Sequence, residues 1–300
     1  MNLQNSGKVS AIVPIIDFRK HADNISKIID SVHDKNVELI LVLDSQPKII
    51  YEHMVIALDK LGVQGVVASV SCGNPGGARN LGLSLAKREW VVFWDCDDLP
   101  NVSNVFNMIT KSEEDCSQVV IGNYEKEELQ TRKITSASID HKFWQIDVGL
   151  NPGIWRFAFT REIIGSTKFP ELKMGEDQVF LQRIFAKSPK VQLCDEIVYR
   201  YRLGVPNQLT SNRNTMSDLR SSNAITKIEL KNQGLYVDAV ITMLIRQYLT
   251  LGKVSNIKFM SRLAYFSSAA TYLAKKPRII MRFVNLYMRT KLSKESLSAR

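Results

Sequence analysis

The sequence predicts an α/β protein built on a parallel, doubly wound sheet with a helical region behind it. Short apolar runs at Val9 to Ile16, Glu38 to Leu43, Gly65 to Val70 and Trp90 to Trp94 have the length and composition of strands buried on both faces. Between them lie segments of helical length and period. Ile25, Ile28, Ile29 and Val32 share one helix face, and Ile49, Ile50, Met54 and Leu58 share another, behind Pro47 at a helix start. Strand alternating with helix is the pattern of a parallel sheet.

After Asn101 the pattern changes. Gln118 to Gly122 reads as a strand, and the polar stretch Glu125 to Ser138 as a hairpin or loop. Ile154 to Thr160 reads as a strand followed by a short helix from Arg161. Gly175 to Lys187 reads as a helix with Val179, Ile184 and Phe185 on its apolar side. Val191 to Cys194 and Ile197 to Arg202 are short β-like runs, and everything beyond about Asn214 is helical, without repeats. The expected division is a catalytic domain over 1–214 and a basic helical region over 215–300.

Three hundred residues, 45% of them hydrophobic, suffice for one large domain or a domain with an appendage. Cys72, Cys96, Cys116 and Cys194 lie far apart, with no Cys-x-x-Cys pair or zinc-ligand spacing, so reduced thiols in a cytoplasmic setting are expected. Met1 to Lys8 lacks the features of a secretory signal. The longest apolar candidate for a membrane span, Ala239 to Leu251, is interrupted by Arg246 and Gln247, so the expectation is a soluble or peripheral protein. The net charge of +10 belongs to the tail: residues 221–300 carry a net +11, with Glu229, Asp238 and Glu295 as their only acids.

Open α/β sheets bind ligands beyond the carboxyl ends of their strands. Here those ends are Asp17, Asp44, the turn Gly73 to Asn80, and the cluster Asp95, Cys96, Asp97, Asp98. Aspartates this close offer hard oxygen ligands suited to Mg²⁺ or Mn²⁺ with a substrate's phosphates, although Asp98 before Leu99 and Pro100 also fits a helix cap. The glycine turn lets backbone approach a ligand, with Arg79 able to reach a phosphate or carboxylate. It is neither the dinucleotide fingerprint nor a P-loop, and an ordinary helix start remains open. Glu176 and Asp177 stand where a general base would serve or where carboxylates simply favour a helix N-terminus. His21, His33, His53 and His141 are scattered, which leaves a serine or cysteine hydrolase unsupported.

These residues together carry a resemblance. From about Val9 to Thr210 the chain resembles the family 2 glycosyltransferases of the GT-A fold, a Rossmann-like, mostly parallel sheet; many members build bacterial surface polysaccharides of the capsule, lipopolysaccharide or teichoic acid type. Val9-Ser10-Ala11-Ile12-Val13-Pro14 is similar to the family's opening strand, and Leu41-Val42-Leu43-Asp44-Ser45 to its second strand. Gly76-Gly77-Ala78-Arg79-Asn80 followed by Phe93-Trp94-Asp95-Cys96-Asp97-Asp98 resembles its Ala-Arg-Asn and Asp-x-Asp-Asp elements in order and spacing. Gly175-Glu176-Asp177-Gln178 resembles its Glu-Asp motif. Pro152-Gly153-Ile154-Trp155-Arg156 and Tyr199-Arg200-Tyr201-Arg202 resemble segments beside and beyond the acceptor pocket. Ile16 and Asp17 replace the usual Tyr-Asn, and Leu43 the first of two aspartates. The Gln-x-x-Arg-Trp element of processive members is missing, since Gln182 and Arg183 are adjacent.

The resemblance implies an inverting, single-transfer enzyme, a hexosyl- or N-acetylhexosaminyltransferase that takes its sugar from a nucleotide-sugar such as a UDP-sugar. Pro14, Ile16, Asp17, Asp44, Gly76, Gly77, Arg79, Asn80, Asp95, Cys96 and Asp97 would bind that donor. Asp95 and Asp97 would hold the Mn²⁺ or Mg²⁺, Asp177 with Glu176 would be catalytic, and Trp155, Arg156 and Arg202 would meet a glycan or lipid-linked acceptor. The rival readings are a nucleotidyltransferase and a non-catalytic nucleotide-sugar or glycan-binding scaffold. In the tail, Arg278, Arg282, Asn285 and Arg289 fall opposite Ile279, Ile280, Phe283, Val284 and Tyr287. Such a helix fits an anionic membrane surface, at the inner face of the cytoplasmic membrane, through 255–300. Packing on the catalytic domain or on a second copy in a homodimer is the alternative, and no nucleic-acid motif accompanies the charge.

Overall fold

The structure is a computed structural model that describes residues 8–205, 216–253 and 259–284. Its first half alternates as expected: β1 (Val9–Ile15), α1 (Phe18–Val32), β2 (Val37–Asp44), α2 (Lys48–Lys60), β3 (Gly65–Val70), α3 (Pro75–Leu85) and β4 (Trp90–Phe93). β1 and β2 are apolar and buried along almost their whole length, so each pairs on both edges: β1 with β2 and β4, β2 with β1 and β3, all parallel. Side-chain caps start two of the three helices in this half. Asp17 accepts from the Lys20 amide before α1, and Asn74 accepts from the Gly77 amide before α3. Along α2, Ile50, Met54 and Leu58 are buried, whereas Ile49, assigned to the same face, is 56% exposed.

The second half runs β5 (Leu99–Pro100), α4 (Val102–Glu114), β6 (Val119–Glu128), β7 (Lys133–Ala137), α5 (Trp144–Leu150), β8 (Phe157–Thr160), α6 (Arg161–Ile164), α7 (Glu176–Ala186) and β9 (Val191–Leu203). The sheet order is β3-β2-β1-β4-β8-β6-β9-β5, with β7 on β6. β8 is antiparallel to both β4 and β6, so a mixed half continues the parallel one. Three local expectations change. Ile154–Arg156 form a single 3₁₀ turn ahead of β8, and the two runs after α7 are one long strand whose register against β6 shifts around Asn123. Leu99 and Pro100 pair with β9, so α4 starts later, and its cap is Asn101, which accepts from the Asn104 amide, not Asp98.

Behind the sheet stand α8 (Met216–Glu229), α9 (Val237–Gly252) and α10 (Phe259–Ala274), and residues 277–284 are helical. Ala239 and Met243 of α9 share a core with Phe93, Phe159 and Phe180, so this helix packs into the sheet's own hydrophobic layer. Arg282 is corrected from its place on an exposed basic face. It is 3% exposed, with Nε and Nη2 donating to Asp147 at 2.7 and 2.6 Å and Nη1 donating to Asp140 at 3.1 Å. Ile280 and Val284 are exposed instead, while Asn285, Tyr287 and Arg289 lie outside the described residues. Among the described residues no helix is long and apolar enough to cross a membrane.

Candidate active site

A cavity of about 470 Å³ opens at the carboxyl ends of the parallel strands, between them and the N-terminus of α7. On one side stand Pro14, Ile16, Asp44, Arg79, Asp95, Cys96 and Asp97; further round are Trp155, Glu176 and Asp177. Ten of the residues marked from sequence therefore meet in one space.

The acidic cluster leaves β4 in a tight turn pinned by distant elements. The Asn24 side-chain amide donates to the carbonyls of Cys96 (2.8 Å) and Asp98 (2.6 Å), and the Asp95 amide donates to the Tyr199 hydroxyl at 2.9 Å. Asp98 is wholly buried and accepts from the Arg202 amide at 2.7 Å. Burial, followed by the charges of Asp97 and Asp95, pushes its pKa well above the ordinary carboxylate range. Oxygens of Asp95, Asp97 and Asp98 lie within 4.8 Å of one another, a hard donor set that fits Mg²⁺ or Mn²⁺. Since Asp98 is turned into the protein, Asp95 and Asp97 on the cavity wall are the pair that could hold the ion.

Arg79 joins this cluster to the second acidic pair. Its guanidinium, 4% exposed, donates to Asp95 Oδ1 and Glu176 Oε1, each at 2.7 Å, and lies 5.6 Å from the centre of the Phe169 ring. Burial opposes its charge, but Asp95 and Glu176 outweigh burial and raise its pKa. Glu176, also buried, is pushed up by desolvation and held back by Arg79. Asp177, half-buried on the cavity wall, is raised to about 7, first by desolvation and then by the Glu176 charge. Both acids sit in the first turn of α7, as the helix-terminus reading allowed, and both line the cavity. Gly175 ahead of them has φ +82°, and a Cβ there would meet Ser222 Oγ at 2.5 Å, so only glycine fits.

Asp44 is clamped by its surroundings: the amides of Cys72 (3.0 Å) and Asn74 (3.1 Å) and the hydroxyl of Ser45 (2.9 Å) donate to it. Burial opposes its ionisation, but hydrogen bonding from the Gly73 backbone, the Cys72 thiol and amide and the Ser45 hydroxyl prevails and lowers its pKa. Trp155 stacks on Tyr199 (4.6 Å between centroids) and Tyr201 (5.6 Å) and meets the edge of Tyr124.

Other marked residues lie behind this surface. Asp17 caps α1 and pairs with Lys20. Gly76 is pressed against the Pro170 carbonyl, where a Cβ would come within 2.2 Å, and Gly77 donates to the Asn74 side chain. Asn80 exchanges two hydrogen bonds with the Phe169 backbone. Arg156 is 2% exposed between Tyr124 and Phe157, where burial lowers its pKa to about 10. Arg202 braces the acidic turn through Asn24 and Asp98. None of these six, expected to meet donor or acceptor, is among the residues that line the cavity. Conversely, Asn74, Tyr124, Lys126, Lys173, Tyr201, Arg246 and Gln247 line the cavity, although none was marked from sequence as a site residue. Tyr124 and Lys126, like Tyr199 and Tyr201, had the two-residue spacing of one strand face as a signal, and Arg246 and Gln247 broke an apolar run.

Comparison with known proteins agrees with this geometry. The model of glycosyl transferase family 2 matches residues 10–173. A poly(ribitol-phosphate) beta-glucosyltransferase of Bacillus spizizenii is 25% identical over 217 residues, covering 65% of this chain and 32% of that protein, so the match spans only about a third of the relative. In fold the chain is similar to S. aureus TarS in complex with UDP-GlcNAc, with a TM-score of 0.66, 18% identity, and coverage of 91% of this chain and 82% of that one. It is also similar to the Pyrobaculum calidifontis mannosyltransferase PcManGT in complex with GDP-Man and Mn²⁺, with a TM-score of 0.53, 12% identity, and coverage of 95% and 81%. With the family match extending over more than half of its length, and with the acidic turn of β4 lying inside that match, this chain belongs to glycosyl transferase family 2.

Proposed function

We propose that this protein moves a sugar from a UDP-sugar to a hydroxyl of a glycan or lipid-linked acceptor, one transfer per encounter and with inversion, in assembling a bacterial surface polysaccharide. The observation that carries the reading is Asp177. Its carboxylate, raised to a pKa of about 7, lines the same cavity as Asp95 and Asp97, and the neighbouring Glu176 is joined to Asp95 through Arg79. Asp177 accepts the proton of the acceptor hydroxyl as that oxygen bonds to the anomeric carbon and the bond to the donor diphosphate breaks. A single displacement inverts that centre. Mn²⁺ or Mg²⁺ held by Asp95 and Asp97 would offset the charge growing on the departing diphosphate. Arg79 keeps Asp95 aimed into the cavity, and the Trp155 ring offers an apolar face to a sugar.

Single transfer is supported by the fates of Gln182 and Arg183, which are committed to α8: Gln182 donates to the Thr226 carbonyl and Arg183 pairs with Glu229. A donor based on UDP is supported by the UDP-GlcNAc complex of TarS, and a surface polymer by the poly(ribitol-phosphate) relative. We further infer peripheral attachment to an anionic membrane through exposed apolar residues of α10, since Arg282 faces inward.

The test is Asp177→Asn. Transfer should fall by about a thousandfold or more, consistent with loss of a general base, while Mn²⁺-dependent binding of UDP-sugar by calorimetry stays near wild type. Normal turnover by the variant would sink the assignment. Pyrophosphate release by the wild type would favour a nucleotidyltransferase, and donor binding without transfer or hydrolysis a scaffold.

A further inference from the structure

The wall around Asp177 is completed from behind the sheet by α9, which places Arg246, Gln247 and Thr250 in the cavity lining. Gln247 is 2% exposed and acts as a hub. Its Nε2 donates to Gln178 Oε1 and to Ser222 Oγ, each at 3.1 Å, and its Oε1 accepts from Asn223 at 3.0 Å. Ser222 in turn donates to the Gly175 carbonyl at 2.9 Å. This buried network ties α8 and α9 to the turn that carries Glu176 and Asp177. The next residue, Arg246, is thereby displayed from a fixed helix into the cavity.

The positive charges in the lining differ in what they already serve. Arg79 is committed to Asp95 and Glu176. Arg246 and Lys173 are exposed, and among the described residues neither side chain makes a hydrogen bond or ion pair. Arg246 is near enough to Asp177 to lower its pKa, yet the hydrogen bond to Asp177 Oδ1 comes from the Gln178 amide. Among the described residues, the five guanidinium donors of Arg246 are therefore free for a ligand. A neutral acceptor would give these two cations of the cavity lining, unpartnered among the described residues, nothing to bind. An acceptor bearing phosphate would need them, because Glu176, Asp177, Asp95 and the donor diphosphate would otherwise repel it.

Resting on the sugar-transfer reading above, we propose that Arg246 and Lys173 form an anion subsite on the acceptor side of the cavity. They bind a phosphate carried by the acceptor and thereby select phosphate-bearing acceptors over neutral glycans. That phosphate belongs either to a polyol-phosphate chain or to a lipid-linked diphosphate. The Trp155 and Tyr201 rings with Lys126 line the rest of the path.

The experiment measures binding before turnover. A ribitol-phosphate oligomer, a polyprenyl-diphosphate-linked disaccharide in detergent and a neutral oligosaccharide of matched length are each titrated into UDP-loaded protein by calorimetry and then assayed as acceptors. One of the phosphate-bearing ligands should bind at least about tenfold more tightly than the neutral one, and Arg246→Gln should remove about tenfold of that affinity, as expected for a hydrogen bond to a charged group. Lys173→Gln should weaken it further, Arg246→Lys should retain part of it, and UDP affinity should not change. Lys48→Gln, on the far helix α2, is the control for loss of one exposed charge. Which of the two ligands wins identifies the source of the phosphate. Equal binding of phosphate-bearing and neutral ligands overturns the subsite, as does loss of UDP affinity in Arg246→Gln, which would move Arg246 to the donor side. Selective phosphate binding without any transfer or donor hydrolysis would leave the subsite standing and sink the transferase reading instead.

Discussion

Asp177 is governed by charges from three elements. Glu176 beside it on α7 raises its pKa, while Arg79 from α3 and Arg246 from α9 pull it down, with exposed Lys173 just ahead of the turn. A general base works only when deprotonated, so the transfer rate should rise with pH through about 7 and level off above it. The neighbours set the direction in which variants move that inflection: higher pH for Arg246→Gln, which removes a stabilising cation, and lower pH for Glu176→Gln, which removes a repelling anion. A pH profile of kcat that stays put in both variants would remove Asp177 from the base role. At this scale the acidic residues were legible because strand ends and motif spacing mark them. Arg246 was visible only as a break in the apolar run Ala239 to Leu251, which sequence alone cannot separate from an ordinary solvent-facing charge. The same break holds both outcomes: Arg246 is exposed to the cavity, and Gln247 is buried behind it.

Among elements, the parallel half was readable because β1 and β2 are continuous apolar runs, and a run buried on both faces needs no partner to be recognised, whereas β3, expected to be buried likewise, is an edge strand with only Val67 buried. β9 read as two runs because Asp195 and Glu196 interrupt it, and there the pairing with β6 shifts register instead of ending. The later start of α4 was hidden for a similar reason: Leu99 and Pro100 look like a helix start, and only the distant β9 makes them a strand. The turn into α7 is where element geometry and site meet. Gly175→Ala adds a methyl at φ +82° against Ser222 Oγ, while Gly73→Ala meets a similar φ of +65° with nothing within 4 Å. Backbone strain alone costs about 1 kcal/mol, so thermal unfolding should show roughly that loss for Gly73→Ala. Gly175→Ala should lose about 2–4 kcal/mol, because crowding adds to strain, and should also slow transfer. Equal losses in the two variants would mean that the packing of α8 beneath the turn contributes little.

For the whole molecule, the uneven charge is resolved in part internally. Arg282 is held by Asp140 and Asp147, and Lys276 by Asp238, so two of the tail's cations tie the last described helices to α5 and α9. Periodicity identified an amphipathic helix but could not say which face turns inward; the acceptors on α5 and ahead of it decided that. What remains outside is apolar: Phe259, Met260, Leu263 and Phe266 on α10, with Ile280, Met281 and Val284 beyond it, are all exposed. Between 259 and 284 there is no Asp or Glu, while Lys275 and Arg278 are exposed, so two copies meeting through this face would oppose like charges, whereas anionic lipid headgroups complement it. The full chain should therefore sediment with vesicles containing anionic phospholipid and much less with neutral ones, and its binding should weaken as salt is raised. Phe259→Glu with Met260→Glu should lower vesicle binding about tenfold or more, since both apolar burial and charge attraction are lost, and donor affinity should be unaffected because the pair lies outside the cavity lining. If the double variant binds vesicles as well as wild type, α10 is not the attachment surface. If the wild type self-associates and the variant does not, the exposed apolar face belongs to a second copy of the chain.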